Sequence, residues 1–539
     1  MTTRRRRSQR GALDLLRRPA TQILLIIAAL VVALVAAHSN QYYIGVLSTA
    51  GIAYIVISSL NLLMGYVGVF SLGQAAFLGV GAYGVAYVTV KAGLDALTGL
   101  AVAVAAGAAV AAALAIPFSR LRGHFLAMAT LAFGGIFTEL ALQLEPVTGG
   151  ANGLLGRALT VLGHDVGGTA LLALIFAGDV LVFAFLLVLL RGWRGLAFAA
   201  VKRDELMAET HGVNTAAQKL LAFAISGAMC GLAGYFFFYY AGYIDPTSFG
   251  IVGSINYLSA LVIGGAGYAA GPVLGAATFY GINTALAELP TERALLFGAA
   301  LVVVVSISPT GLSGLIERGW KALRSRREVR PHIVFGPPPD GSKLSLVRRD
   351  VDAPAPTTVR PLVVVERLAK AYGGLRVLEE VSFEVPASTS IMSIIGPNGA
   401  GKTTLLNILT GVTPPTAGLV EVLGCDVTKM GSRRVAGQGV ARTFQVPRLM
   451  LDRTVLENVA LGMYAHGGDR ADADVRAREI LDHVSLGSIA DRRVSVLPHG
   501  PRRVIEIARA LASSPRLLIL DEPAAGLDEL ELEWLNELL

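Results

Sequence analysis

Ile391-Met392-Ser393-Ile394-Ile395-Gly396-Pro397-Asn398-Gly399-Ala400-Gly401-Lys402-Thr403-Thr404, followed by Leu405-Leu406-Asn407-Ile408-Leu409, reads as a short apolar strand, a glycine-rich turn and a helix. That order is the context a phosphate-cradling P-loop requires. Gly396, Gly399 and Gly401, with Asn398 between them, let backbone N–H groups approach phosphate oxygens, and the helix N-terminus adds its dipole. Lys402 is placed to reach the β- and γ-phosphates of a nucleotide, and Thr403, beside Thr404, offers a hydroxyl to Mg²⁺. Further on, Leu517-Leu518-Ile519-Leu520-Asp521-Glu522-Pro523 reads as a buried strand that ends in two acids. Asp521 is placed to hold Mg²⁺ through water and Glu522 to act as general base toward an attacking water.

Outward from this region the composition changes. The chain has 539 residues, of which 53% are hydrophobic and 16% charged, too apolar for an ordinary soluble protein. Long Leu/Ala/Val/Gly stretches occupy the chain from Thr21 to Pro309, and soluble-type charge density begins at Arg318. A helix needs roughly 20 residues to cross about 30 Å of hydrocarbon. Windows near 21–38, 43–64, 70–90, 96–117, 125–144, 169–190, 219–240, 254–271, 273–288 and 293–308 meet that need, which predicts ten spans. An even number keeps both the Arg-rich N-terminus and the nucleotide site on the cytoplasmic side. The formal charge of +7 is concentrated in Arg4 to Arg7, Arg10, Arg17, Arg18 and the run from Arg318 to Arg330, flanking apolar segments. Positive-inside topology accounts for it, and no nucleic-acid partner is expected. The two cysteines, Cys230 and Cys425, read as packing residues rather than a disulfide. The first span reads as retained, since no small-residue cleavage site follows its basic flank.

The glycines, alanines and serines of these spans are expected to serve helix packing, because lipid supplies no hydrophobic drive for association. Glu139 and Asp179 stand inside apolar windows, where an acid is costly and tends to face a cavity or polar partner. Val201-Lys202-Arg203-Asp204-Glu205-Leu206-Met207-Ala208-Glu209-Thr210-His211-Gly212-Val213-Asn214 interrupts the apolar pattern. It predicts one short amphipathic cytoplasmic helix closed by Gly212 and Asn214. Residues 318–360, with Gly336-Pro337-Pro338-Pro339-Asp340-Gly341, read as an extended linker.

Several motifs carry a family resemblance. Leu60-Asn61-Leu62-Leu63-Met64-Gly65-Tyr66-Val67-Gly68, Ser71-Leu72-Gly73-Gln74-Ala75-Ala76-Phe77, Thr148-Gly149-Gly150-Ala151-Asn152-Gly153, Lys219-Leu220-Leu221-Ala222-Phe223 and Gly264-Gly265-Ala266-Gly267 come in the order of LivM-type branched-chain amino acid permeases. The 201–214 segment resembles the coupling loop of importer permeases, which docks into a cleft of the ATPase. The soluble part resembles an ABC ATPase of the LivG type. That resemblance implies adenine stacking by Tyr372, a Q-loop role for Gln445 at the metal and the coupling helix, and a signature at Leu497-Pro498-His499-Gly500-Pro501. It also implies γ-phosphate contact by Gly500 across a dimer, and a D-loop at Ala525-Gly526-Leu527-Asp528. Pro501 departs from the usual Gln and removes a backbone N–H. The sequence stops within Glu529 to Leu539, which reads as a helix, before a switch-loop histidine. A fragment of a longer reading frame is the preferred account, with a naturally truncated protein as the alternative.

The fold expected is therefore a polytopic α-helical membrane domain followed by an α/β P-loop NTPase domain of ABC type, incomplete at its C-terminus. Its parts would be a permease at 1–317, the linker at 318–360 and the ATPase at 361–539. The resemblance implies ATP-driven import of branched-chain or related amino acids across the cytoplasmic membrane, with ATP and Mg²⁺ as cofactors. The implied partners are a second permease, a second ABC ATPase, an extracytoplasmic substrate-binding protein and membrane lipid. The alternatives are uptake of urea or short amides, a nucleotide-binding regulatory or assembly subunit without turnover, and export.

Overall fold

The computed structural model describes residues 40–325 and 360–527 except 120, 122, 162–163, 286–289, 468 and 526, together with 532, 535 and 536. The chain divides into two compact units: Met1–Arg191 with Ala216–Val329, and Gly192–Thr215 with Arg330–Leu539. The segment Gly192–Thr215 thus folds with the C-terminal unit although the membrane-type sequence surrounds it.

Among the described residues of the first unit, six stretches are long and apolar enough to cross a membrane: Gln41–Val67, Ala96–Phe118, His124–Gln143, Gly168–Arg191, Thr215–Ala241 and Leu301–Gly319. The count of ten expected from the sequence is not what the helices give. The first window, 21–38, lies outside the described residues. Window 70–90 forms the helix Gln74–Ala86 with a wider turn at Tyr87–Lys91, and windows 254–271 and 273–288 form helices Ile251–Gly264 and Gly271–Ala285. The last two have 14 and 15 residues, short of the roughly 20 needed for a span. Hydropathy alone cannot see the break between them, which is set by Gly265 at φ +110° and Gly267 at φ +84°.

A backbone break at membrane depth leaves polar groups that lipid cannot satisfy. Here Asn61 supplies the missing partners: its Nδ2 donates to the Tyr268 carbonyl at 3.0 Å, and its Oδ1 accepts from Gly267 N at 2.7 Å. Ser313 closes the Gly264 carbonyl at 2.6 Å. A second buried polar cluster ties three helices, with Gln74 Oε1 accepting from Ser59 Oγ at 3.2 Å and from Cys230 Sγ at 3.1 Å. Helices Ala96–Phe118 and Thr215–Ala241 meet backbone to backbone. A Cβ added at Gly107 would overlap the Gly227 carbonyl, one at Gly227 the Gly107 carbonyl, and one at Gly231 the Ala103 carbonyl. This is the close approach that small residues four apart permit in lipid.

The C-terminal unit has two cores. One lies under a four-stranded antiparallel sheet in the order Leu375–Val385, Val363–Tyr372, Ala417–Val422, Cys425–Asp426, against which the helix Lys402–Leu409 packs. The other is helical, built by Val455–Ala460, Arg470–His483 and His499–Ala512. Strands Val440–Arg442 and Leu517–Ile519 pair in parallel, as βα-connected strands do. Ile391–Ile395, expected as a short apolar strand, is not one: Ile391 is 70% exposed, Ile395 is 91% exposed, and among the described residues no strand pairs with it. An apolar run becomes a strand only where a neighbour offers its hydrogen-bonding edge.

The glycine contact yields the first prediction. Gly227→Leu should lower the stability of the detergent-solubilised chain by about 1–3 kcal/mol, the usual scale of overpacking. Gly135→Ala, where an added Cβ meets nothing within 4 Å, should leave it unchanged. Thermal unfolding followed alongside size-exclusion profile would show both.

Candidate functional site: a nucleotide site and the segment docked beside it

The P-loop is a turn followed by helix Lys402–Leu409. Gly399 at φ +86° and Gly401 at φ +87° take the left-handed conformation that glycine allows without strain. A Cβ on Gly401 would also strike Leu378 and the Val377 carbonyl, so the loop is pressed against the strand Leu375–Val385. Lys402 Nζ donates to the carbonyls of Gly396 at 2.7 Å and Pro397 at 3.0 Å. The ammonium is thus held at the mouth of its own loop. Asn398 and Thr403 are exposed and Thr404 half-buried. Tyr372 is 47% exposed at the end of strand Val363–Tyr372, with Lys370 Nζ 4.9 Å from its ring centroid. It pairs with Leu375 at the near end of the strand that backs the P-loop.

Two of the residues singled out in the sequence are bonded directly. Gln445 Nε2 donates to Glu522 Oε2 at 2.8 Å. Asp521, buried, is paired instead with Arg442: Nη2 donates to Oδ2 at 3.0 Å. The same guanidinium reaches Asn407 Oδ1 at 2.6 Å and Thr410 Oγ1 at 3.0 Å, both at the end of the P-loop helix. Arg442 therefore ties the strand end that carries Asp521 to the helix that carries Lys402. Burial lowers its pKa, and Asp521 raises it back. Among the described hydrogen bonds Lys402 and Thr403 are not joined to Asp521. Gly500 and Pro501 are buried in the first turn of helix His499–Ala512. A proline there costs the helix nothing, because N–H groups of the first turn have no intrahelical acceptor. Of the D-loop, Ala525 and Leu527 are described, while Gly526 and Asp528 lie outside the described residues.

The segment 201–214, expected as one short amphipathic helix, is divided between the end of helix Trp193–Arg203 and the helix Glu205–Thr210. Asp204, extended at φ −166°, breaks the first and caps the second by accepting from Met207 N at 3.0 Å. Gly195 to Val201, which lead into that segment, are buried. Trp193 stands edge-on to Tyr464 with centroids 5.5 Å apart, and the Arg470 guanidinium lies 5.5 Å from its ring centroid. Arg203 Nε donates to the Leu449 carbonyl at 3.0 Å, and Arg448 Nη1 meets Asp204 Oδ2 at 2.6 Å. These contacts fall just after Gln445. The sequence motifs assign no role to Arg442, Arg448, Arg503, Glu506 or Arg509. The one available signal was charge at Arg503, Glu506 and Arg509, every third position of a helix otherwise filled by Val504, Ile505, Ile507 and Ala508.

His211 ends the docked segment. Its Nδ1–H donates to the Met207 carbonyl at 2.8 Å. Burial, reinforced by the charge of Arg509 and partly offset by that hydrogen bond, pushes its pKa down to about 3. The ring stays neutral in the fold but charges near pH 6.5 once unfolded. Its contribution to stability is therefore complete above about pH 6.5 and declines as pH falls toward 3, by about 1.4 kcal/mol per unit at the steepest. The wild-type chain should lose more melting temperature between pH 7.5 and 5.5 than His211→Gln does, measured by scanning fluorimetry.

Comparison with known proteins gives two family matches. The family described as "ABC transporter" matches residues 378–525, and that described as "Branched-chain amino acid transport system / permease component" matches residues 42–306. The high-affinity branched-chain amino acid transport ATP-binding protein BraF of Pseudomonas aeruginosa is 36% identical over 195 residues, 33% of this chain and 76% of that protein. LivG of Salmonella typhimurium, with the same description, is 37% identical over 195 residues and the same shares. The lipoprotein-releasing system ATP-binding protein LolD of Bacteroides fragilis is 32% identical over 180 residues, 33% of this chain and 83% of that protein.

Proposed function

This chain belongs to the ABC transporter family, a permease of the branched-chain amino acid transport type joined to an ATP-binding domain, and on that premise we propose that it imports branched-chain or closely related amino acids. It is a membrane protein that binds ATP and couples its hydrolysis to transport. The ATPase part does not by itself give direction or cargo, since it is similar to BraF, LivG and LolD alike. The membrane part supports import. The observation that carries the reading is the segment Gly192–Thr215: it lies inside the permease match yet folds into the ATPase unit.

In this reading the backbone amides from Gly396 to Gly401 and the ammonium of Lys402 bind the phosphates. Lys402 exchanges two loop carbonyls for phosphate oxygens, which leaves it no less satisfied. Tyr372, exposed at its strand end, stacks on adenine. Thr403, Gln445 and Asp521, each an oxygen donor, would hold Mg²⁺, and the cation would supply positive charge to the transferring phosphate. With a single carboxylate among them, they fit a cation that arrives with its nucleotide. Asp521 must then share its charge between the cation and Arg442. Glu522 takes the proton of the attacking water, and its bond from Gln445 holds it beside the loop that contacts the docked segment. Gly500 faces the nucleotide of a second ATPase. A second permease and an extracytoplasmic binding protein complete the transporter, and the ATPase faces the cytosol.

A regulatory subunit that binds nucleotide without turnover is the second reading, favoured by Pro501, which has no N–H to give a γ-phosphate. One experiment decides between them. The chain is reconstituted in liposomes with its partner permease, partner ATPase and binding protein, and ATP hydrolysis is followed with leucine, urea or acetamide. Import of amino acids requires leucine-stimulated hydrolysis that falls about 100-fold or more in Glu522→Gln, the scale of a lost general base, with ATP binding retained. Stimulation by urea or acetamide alone would reassign the cargo, and binding without Glu522-dependent turnover would leave the regulatory reading.

A further inference from the structure

Helix His499–Ala512 sends three fully buried charged side chains to one side: Arg503, Glu506 and Arg509. They close every free backbone group at both ends of the loop Phe444–Arg448. Glu506 Oε1 accepts from Phe444 N and from Arg448 N, each at 3.3 Å. Arg503 Nη1 donates to the Phe444 carbonyl, and Arg509 Nη1 donates to the Arg448 carbonyl at 2.7 Å. Glu506 binds the triad together, accepting from Arg503 Nη1 at 2.9 Å and lying 3.7 Å from Arg509 Nη2. Arg503 Nη2 also donates to the carbonyls of Asp521 at 2.7 Å and Glu522 at 2.8 Å.

The loop so held carries Gln445 at one end and Arg448 at the other. Gln445 reaches Glu522, while Arg448 reaches Asp204 at 2.6 Å, its guanidinium 4.5 Å from the Phe444 ring centroid. Asp204 in turn caps the docked helix Glu205–Thr210. A displacement of helix His499–Ala512 therefore cannot move one end of the loop without the other. Arg509 Nε and Nη2 are buried without a hydrogen-bond partner among the described residues, but close-packed networks still move as units, because each further bond broken leaves another buried group unpaired.

We propose that Glu506 is a positioning residue that makes helix His499–Ala512, the Gln445 loop and the permease segment around Asp204 one mechanical unit, so that nucleotide binding is felt at Asp204. The inference rests on the reading of the site as an ATPase, but its readout needs neither transport nor partners. The chain, with both its membrane and ATPase parts, is loaded with ATP in nanodiscs, and amide exchange is compared in peptides covering 203–210 and 444–449, for wild type, Glu506→Gln and Asp204→Asn. Gln keeps the side-chain length but presents N–H donors to guanidiniums that need an acceptor. Asn keeps the cap on Met207 but loses the ion pair.

In wild type, ATP should slow exchange in both peptides. In Glu506→Gln the response at 203–210 should fall by about fivefold or more, the lower range of allosteric coupling, with ATP affinity held within about threefold. In Asp204→Asn the response at 203–210 should fall while that at 444–449 persists. An undiminished response at 203–210 in either variant overturns the proposal. So does loss of ATP affinity together with melting temperature in Glu506→Gln, which would make the residue structural only. Failure of wild type to bind ATP would instead sink the ATPase reading itself.

Discussion

The C-terminal unit depends on one buried carboxylate and its two guanidiniums. Glu506 has no solvent exposure, and burial pushes its pKa up while Arg509, Arg503 and the two backbone N–H groups draw it back. A charge so placed is tolerated only if its neighbours replace the hydrogen bonds of water. The cost falls on both sides, since burial also lowers the Arg509 pKa to about 10. Removing one member of such a set typically costs about 3–5 kcal/mol, whereas an apolar replacement of the whole set can be neutral. Stability alone therefore does not account for three charges in this helix. What an apolar set could not do is hold four backbone groups of a loop that has no secondary structure of its own.

The membrane unit meets the same constraint in another solvent. Lipid offers no partner for an open backbone group, so the break between Ile251–Gly264 and Gly271–Ala285 is satisfied by protein, through Asn61 and Ser313. Asn61 begins the wide turn Asn61–Val67, where a Cβ on Gly65 would overlap Gly267 N. Two irregular segments far apart in sequence thus lie against each other. Where lipid removes the hydrophobic drive, this polar lock and the glycine contact of residues 107, 227 and 231 supply the specificity.

What could be read from sequence follows from how local each signal is. The P-loop glycines are legible because φ near +86° is a property of single residues. The long spans are legible because hydropathy sums over one helix. The two half-length helices are not, because a break depends on partners such as Asn61, two hundred residues away. Ile391 to Ile395 shows the converse: five residues of strand character without a neighbouring edge do not make a strand. Asp521 reads from the sequence as an acid at the end of a buried-type strand; it lies two residues past strand Leu517–Ile519, buried against Arg442 of the adjacent strand, and no spacing rule links residues 442 and 521. The segment 201–214 is legible by its polarity, and its docking onto the ATPase by resemblance alone; the buried run Gly195 to Val201 that leads into it is not, because the far part of the chain covers it.

That covered face has a consequence for how force can pass. A segment that lay on water would follow the ATPase only through its tethers. Gly195 to Val201 are instead part of a packed unit, with Trp193 against Tyr464 and Asp204 against Arg448. His211, neutral because it is buried beside Arg509, adds a polar group that does not titrate between pH 5 and 8. The docking therefore combines a screened ion pair at its rim, Asp204 to Arg448, with apolar contact and a fixed-charge interior. The rim pair is accessible to water and able to break and reform at low cost. The interior would have to move as a body, which is the property a transmitted displacement requires.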